Sequence, residues 1–162
     1  MSKIIIIGGG AAGMMAALAA SGNGNKVCLY EKNEKTGKKL YITGKGRCNV
    51  TNASDLEQVF KSIISNPKFM YSAFYTMTND MTMDMFQSEL GIALKVERGN
   101  RVFPESDKSS DIIAGLLRAM KKRNVEIHLN TEVKELITEN NIIRGVRLHD
   151  GATDNGDSVI VA

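Results

Sequence analysis

The first apolar segment of the chain is a run of four isoleucines. Ile4–Ile7 is hydrophobic at every position, which is typical of a central parallel strand covered on both faces. Three glycines at 8–10 end the run, and the Ala-, Met- and Leu-rich stretch 11–20 has high helix propensity. The polar stretch 21–25 breaks this helix, and residues 26–31 are predicted to form a second strand. The pattern predicts a βαβ unit.

Helical periodicity dominates the middle of the chain. Residues 32–52 show no clear periodicity, but apolar residues recur at helical spacing over 56–64. Ser54 and Glu57 have the spacing of a capping box for this helix, and Asn66-Pro67 predicts its end. Further elements are predicted at residues 69–74 (helix), 80–90 (helix ending at Gly91) and 92–96 (strand).

The last third of the chain combines one helix with short strands. An amphipathic pattern predicts a helix over 112–120, and alternation predicts a strand over 125–129. Residues 132–138, 142–148 and 158–161 are predicted to form a three-stranded antiparallel meander. The fold class is therefore α/β. We expect residues 1–162 to form one Rossmann-like FAD/NAD(P)-binding domain with a parallel sheet, additional helices and this meander.

Composition mainly excludes functions. A net charge of +3 does not by itself indicate nucleic-acid binding. Cys28 and Cys48 form no CxxC pair, and His128 and His149 are far from both in sequence, so neither a metal site nor a disulfide is predicted. The glycines at 8–10 leave an N-terminal apolar run too short for a signal sequence or a membrane span. We expect a cytoplasmic protein with no membrane partner.

A phosphate-binding motif joins the first predicted strand to the first helix. Gly8, Gly10 and Gly13 satisfy G-x-G-x-x-G directly after a buried strand, where the dinucleotide fingerprint requires them. They permit a tight turn, close approach of a pyrophosphate, and close packing of helix on strand. Glu31 ends the second strand, where a carboxylate accepts hydrogen bonds from the adenosine ribose and repels a 2′-phosphate. The pattern favours FAD or NAD over NADP.

The stretch after Glu31 distinguishes FAD from NAD. It carries Lys32, the segment 37–40 and the segment 43–52, which combine glycines with Lys, Arg, Asn and Thr donors. Such a bed suits a long polar ligand, as the extended flavin half of FAD would be. It is not a Walker A loop, because Gly46 rather than Ser or Thr follows Lys45.

These residues resemble a family of bacterial flavoproteins that includes aminoacetone oxidase and the 3-dehydro-bile-acid reductase. The resemblance rests on the segment 7–13, on Gly-Lys-Lys-Leu at 37–40 leading to the segment 43–52, and on Gly-Asn-Arg-Val-Phe-Pro at 99–104. It implies FAD contacts at the phosphates, at the ribose, toward the flavin and, by backbone atoms, at the adenine. The candidate cofactor contacts are Gly8, Gly10, Ala11, Ala12, Gly13, Glu31, Lys32, Lys39, Leu40, Thr43, Gly46, Arg47, Cys48, Asn49 and Val133.

The resemblance also implies an oxidoreductase in which the flavin carries hydride transfer. Members of the family are about twice this length or more, so we expect an N-terminal portion without its substrate domain, inactive alone. The catalytic residues, the small-molecule substrate and the oligomeric state stay unknown. Cys48 is a redox candidate because Arg47 flanks it, although a packing role is favoured for a cysteine without a partner.

Two other functions stay open from the residues alone. One is an NAD-binding reductase domain, against which the basic glycine-rich segment argues. The other is a nucleic-acid-binding module that uses the basic residues 32–47. Tyr41 is the one aromatic residue in that segment, so base stacking would be thin and we expect no nucleic-acid partner.

Overall fold

The computed structural model describes all residues, 1–162, and divides them into two compact units. The first unit comprises residues 1–40 and 116–162, and the second comprises residues 41–115. None of the helices combines the length and apolarity that a membrane span requires.

The first unit is built on a four-stranded parallel sheet. Its strands are β1 (Lys3–Ile7), β2 (Lys26–Tyr30), β6 (Glu126–His128) and β10 (Ser158–Val161), in the order β10-β1-β2-β6. Helix α1 (Ala11–Ser21) connects β1 to β2 and packs against the sheet. The predicted βαβ unit is therefore confirmed, and Ile5 and Ile6 at the centre of β1 are fully buried, as a central strand requires.

An antiparallel meander packs on one face of this sheet. It consists of β7 (Val133–Glu139), β8 (Ile142–Leu148) and β9 (Thr153–Asn155). Alternate residues of each strand point into the layer between the two sheets, and most of these residues are apolar. The layer contains Ile5, Cys28, Tyr30 and Val146, with Ile7, Val133, Leu148 and Val159 packed around them.

The prediction for the third meander strand was wrong. Residues 158–161 pair in parallel with β1, and the polar segment Thr153–Asn155 completes the meander instead. The run Val159–Val161 is apolar at successive positions, which is typical of parallel strands, although β10 lies at the edge of the sheet and its Val161 is 69% exposed. Asp157 aligns this strand, since its carboxylate accepts from the Lys3 N–H (2.7 Å) and its own N–H donates to the Lys3 carbonyl (2.9 Å).

The second unit contains a small antiparallel sheet and short helices. The sheet has the order β3-β5-β4, with β3 at Thr51–Asn52, β4 at Leu94–Glu97 and β5 at Arg101–Pro104. The helices are α2 (Leu56–Lys61), α3 (Tyr71–Thr76), α4 (Asn79–Asp84) and the start of α5 (Ser109–Lys122), with 3₁₀ turns at Thr43–Gly46 and Pro67–Met70 and a π turn at Met85–Glu89. The unit boundary falls within α5, after Gly115.

Two expectations for this unit were wrong. Asp55, not Ser54, caps α2, because its carboxylate accepts from the Gln58 N–H at 2.8 Å. The helix ends at Lys61, and Ile64 is fully exposed although the apolar periodicity continues to it. Strand β5 was not predicted, since Gly99 and Asn100 indicated only a loop. Both have positive φ and form the turn of the β4–β5 hairpin.

Candidate functional site

The turn after β1 has a geometry that two glycines make possible. Gly8 has a φ of +103°, in the region that favours glycine. A Cβ on Gly13 would lie 1.8 Å from the Gly8 carbonyl oxygen. These are the tight turn and the close helix packing expected of the motif's first and third glycines.

Gly9 is held from both sides, which orients the rest of the loop. Its N–H donates to the Glu31 Oε2 at 2.7 Å, and its carbonyl accepts from the Gly37 N–H at 2.8 Å. The buried Thr36 side chain also packs here, 2.8 Å from where a Gly9 Cβ would stand. The N–H of Gly9 therefore points inward, and anion-binding donors must come from the residues that follow.

The next three residues form an open helix start. Gly10, Ala11 and Ala12 are exposed, and a Cβ on Gly10 would meet nothing within 4 Å. Gly10 is the N-cap of α1 and provides no side-chain cap, so the first-turn N–H groups have no acceptor within the helix. The helix dipole adds positive potential at this end. The residues present thus fit the pyrophosphate of a dinucleotide.

Glu31 lies beside this loop as a buried carboxylate, 8% exposed. Its Oε1 accepts from the Asn33 N–H at 2.8 Å and from the Asn33 side-chain amide at 2.5 Å. Burial acts to raise the pKa of Glu31, but these hydrogen bonds and the one from Gly9 outweigh it and hold the pKa below its usual value. The ionised carboxylate keeps acceptor capacity for ribose hydroxyls and disfavours a phosphate on the ribose 2′ position.

The remaining candidates of the first unit lie on its surface or at a strand edge. Lys32 and Lys39 are exposed, and Leu40 is half-buried. Val133 begins β7, an edge strand that pairs only with β8, and its side chain packs into the apolar layer. An edge strand leaves backbone groups available to a ligand, as the predicted adenine contact requires.

In the second unit, the predicted flavin-side residues lie on a strained backbone. Gly44, Lys45, Gly46 and Cys48 all have φ between +56° and +84°. A Cβ on Gly44 would lie 3.2 Å from both the Asn49 nitrogen and the Phe103 ring. Non-glycine residues in this conformation are costly and concentrate at ligand-binding segments, which supports a functional role for the stretch.

Cys48 is buried in this segment. Burial raises the pKa of its thiol, and a hydrogen bond with Thr43 only partly opposes this. The low-pKa thiolate considered for redox chemistry is therefore not supported. The backbone N–H of Cys48 donates to the Thr43 carbonyl at 3.2 Å, so the residue helps to close the turn.

Arg47 and Asn49 anchor the same segment to the β4–β5 hairpin. The Arg47 Nη1 donates to Glu97 at 2.8 Å and to Asp107 at 3.2 Å, and its guanidinium lies 4.1 Å from the centre of the Phe103 ring. The Asn49 amide, oriented to satisfy both of its polar atoms, donates to the carbonyls of Thr51 (2.9 Å) and Val102 (3.0 Å). Ligand contacts by these two residues stay predictions.

The structure thus brings the phosphate-loop residues and Glu31 together within the first unit, and Thr43, Gly46, Arg47, Cys48 and Asn49 together within the second. Sequence reasoning missed Asn33, Thr36 and the inward role of Gly9. Asn33 and Thr36 are short polar residues that follow Glu31, and this was the available signal. Their positions in the sequence do not specify that they contact Glu31 and Gly9.

Comparison with known proteins gives consistent matches. The family model described as "HI0933-like protein Rossmann domain" matches residues 2–162. The 3-dehydro-bile acid delta(4,6)-reductase of Clostridium scindens is 32% identical over 166 residues, covering 100% of this chain and 39% of the reductase. The ribosomal RNA dihydrouridine synthase of Escherichia coli is 34% identical over 129 residues, covering 80% of this chain and 31% of the synthase.

Among solved structures, the open conformation of a flavocytochrome c3 fumarate reductase superposes with a TM-score of 0.64 at 25% identity. The alignment covers 99% of this chain and 33% of that one. The chain therefore spans less than half the length of the proteins it matches. The predicted family resemblance and the Rossmann-like α/β fold are both confirmed.

Proposed function

Because the chain belongs to the HI0933-like Rossmann-domain family, we propose that it is the FAD-binding part of a flavin-dependent oxidoreductase. The observation that carries the proposal is the exposed start of α1 beside the ionised Glu31. The FAD and oxidoreductase predictions agree with the relatives, which are reductases and a flavocytochrome. The proposal covers residues 1–162 in both compact units, in a cytoplasmic protein.

The chain's own residues have binding and orienting roles in this proposal. The N–H groups at residues 10–13 hold the pyrophosphate, the Glu31 carboxylate accepts from the ribose hydroxyls, and the edge of β7 at Val133 meets the adenine. The bound flavin supplies hydride transfer. The other predicted contacts of the first unit are Lys32, Lys39 and Leu40, and those of the second are Thr43, Gly46, Arg47, Cys48 and Asn49.

The names of the relatives suggest a reaction class for the whole protein. The reductase, the dihydrouridine synthase and the fumarate reductase each add hydrogen to an unsaturated substrate. We propose the same class here: hydride delivery to a carbon–carbon double bond. The test is whether the full-length protein reduces an unsaturated substrate stoichiometrically. The reaction is monitored through the absorbance change as the reduced flavin of the protein is oxidised.

An RNA substrate is the second candidate, because one relative acts on ribosomal RNA by its name. It is distinguished from a small unsaturated substrate by binding. RNA recognition would give an affinity for ribosomal RNA fragments that falls steeply as the salt concentration rises. An enzyme for small molecules would not bind these RNA fragments even at low ionic strength.

The cofactor is tested on the purified chain. We expect FAD among the molecules released on denaturation, or a shifted visible spectrum and quenched fluorescence when FAD is added. Calorimetry with NADH serves as the comparison. Binding of NADH without binding of FAD would replace the proposal with an NAD-binding reductase domain.

A further inference from the structure

Parallel pairing of β2 and β6 brings together three side chains that are distant in sequence. Cys28 is the register partner of Glu126, and Tyr30 is the partner of His128. Residues two apart on a strand point to the same face, so Cys28, Glu126 and His128 share one side of the sheet. The sequence separation of about 100 residues conceals this cluster from motif analysis.

The ligating atoms of the three side chains converge on one point. The Cys28 Sγ lies 3.4 Å from the Glu126 Oε2, and the His128 Nε2 lies 3.9 Å from the same oxygen. All three atoms lie within 4.8 Å of one another. Ligands of a tetrahedral zinc ion stand roughly 3.3–3.7 Å apart, given bond lengths of about 2.0–2.3 Å, so small side-chain rotations complete the geometry.

Neighbouring groups hold two of these side chains in place. The Lys26 ammonium lies 3.1 Å from the Glu126 Oε1, which leaves Oε2 facing the cluster. The Tyr30 ring stacks on the His128 imidazole with 4.7 Å between centroids and 13° between planes. Tyr30 is itself fixed, since its hydroxyl donates to the Asp154 Oδ2 at 2.7 Å. Outer partners of this kind orient metal ligands.

We propose that Cys28, Glu126 and His128 form a binding site for one zinc ion, with solvent in the fourth position. Thiolate, imidazole and carboxylate are the ligand types that zinc combines in proteins. Cys28 is buried, whereas the side chains of Glu126 and His128 are 48% and 41% exposed, so an ion can enter from the solvent side. On binding, the Cys28 thiol gives its proton to solvent and its sulfur bonds to the metal.

The site is independent of the proposed flavin function, because none of its three ligands is a predicted FAD contact.

The first test is metal binding to the purified chain, measured with Zn²⁺ by calorimetry and with Co²⁺ by difference absorption. We expect one metal per chain and a sulfur-to-cobalt charge-transfer band that Zn²⁺ abolishes.

His128→Gln and Glu126→Gln change half-exposed side chains and should fold. Each should weaken Zn²⁺ binding by at least about tenfold, since even loss of an outer-shell partner typically has this effect. His149→Gln, an exposed histidine outside the cluster, is the matched control and should bind like the wild type.

The thiolate is tested separately with Cys28→Ser, after its thermal transition has verified the fold. It should lose the charge-transfer band. Absence of stoichiometric binding, absence of the band in the wild type, or equal affinities in His128→Gln and His149→Gln would each overturn the proposal.

Discussion

At the residue scale, the glycines of the phosphate loop have separable roles. Gly13→Ala would gain about 1 kcal/mol of helix propensity. Its Cβ would lie 1.8 Å from the Gly8 carbonyl oxygen, however, and such overlap costs more. We expect a net destabilisation of about 1–3 kcal/mol in urea unfolding.

Gly10→Ala is the matched control for stability. Gly10 has an extended backbone, with a φ of −78°, and the new methyl group would lie in open space. The free energy of unfolding should therefore change by less than about 1 kcal/mol. Equal destabilisation of the two variants would contradict the packing argument.

Glu31 gives a pH-dependent prediction. Its folded pKa lies below the usual 4.5, so its stabilising contribution is fully present above that pH and is lost as pH falls through the folded pKa. Glu31→Gln turns a donating NH2 toward either the Gly9 N–H or the Asn33 donors in place of an acceptor oxygen, and should cost about 1–3 kcal/mol at pH 7.

The cost should shrink as pH falls below about 4.5, because there the carboxylate takes up a proton in the unfolded chain before it does so in the folded protein. Urea unfolding of both proteins between pH 7 and pH 3.5 measures it. A difference that does not change with pH would show that shape rather than charge explains the effect.

The sequence predicts residues well where backbone geometry demands a particular one. Gly8, Gly13 and Glu31 could be placed because the fingerprint fixes both their spacing and their physical reason. The partners of Arg47 could not be, because Glu97 and Asp107 are 50 and 60 residues away and no local pattern links them.

At the scale of elements, Arg47 connects the strained 43–48 segment to the β4–β5 hairpin. Arg47→Met keeps the aliphatic stem but removes both ion pairs. We expect faster amide hydrogen exchange across residues 43–48, because the left-handed residues lose their anchor.

Arg101→Met is the control, since the Arg101 guanidinium lies farther from the Phe103 ring, at 5.8 Å, and donates to the Arg98 carbonyl. Its exchange over 43–48 should match that of the wild type. Unchanged exchange in Arg47→Met would show that the segment is held by its backbone alone.

Most elements could be predicted from periodicity, but the partner of a strand could not always be. Residues 158–161 are apolar enough for either sheet, and the pairing depends on β1, more than 150 residues earlier. The polar Thr153–Asn155 strand gives no hydrophobic signal because its place depends on pairing with β8.

At the scale of the whole molecule, the fold and the family both support a cofactor-binding function. The chain matches the fold of a much longer fumarate reductase and the sequence of a longer bile-acid reductase, and it spans less than half of either.

The most direct test of the central claim is a titration of the wild type and of Gly10→Val with FAD, in which binding is measured by the quenching of flavin fluorescence. The larger side chain occupies the open space where the pyrophosphate is proposed to lie, while the extended backbone at Gly10 accepts it. We predict saturable 1:1 quenching in the wild type and an affinity at least about tenfold weaker in the variant, with both proteins folded. No binding by the folded wild type, or equal affinities, would contradict the account.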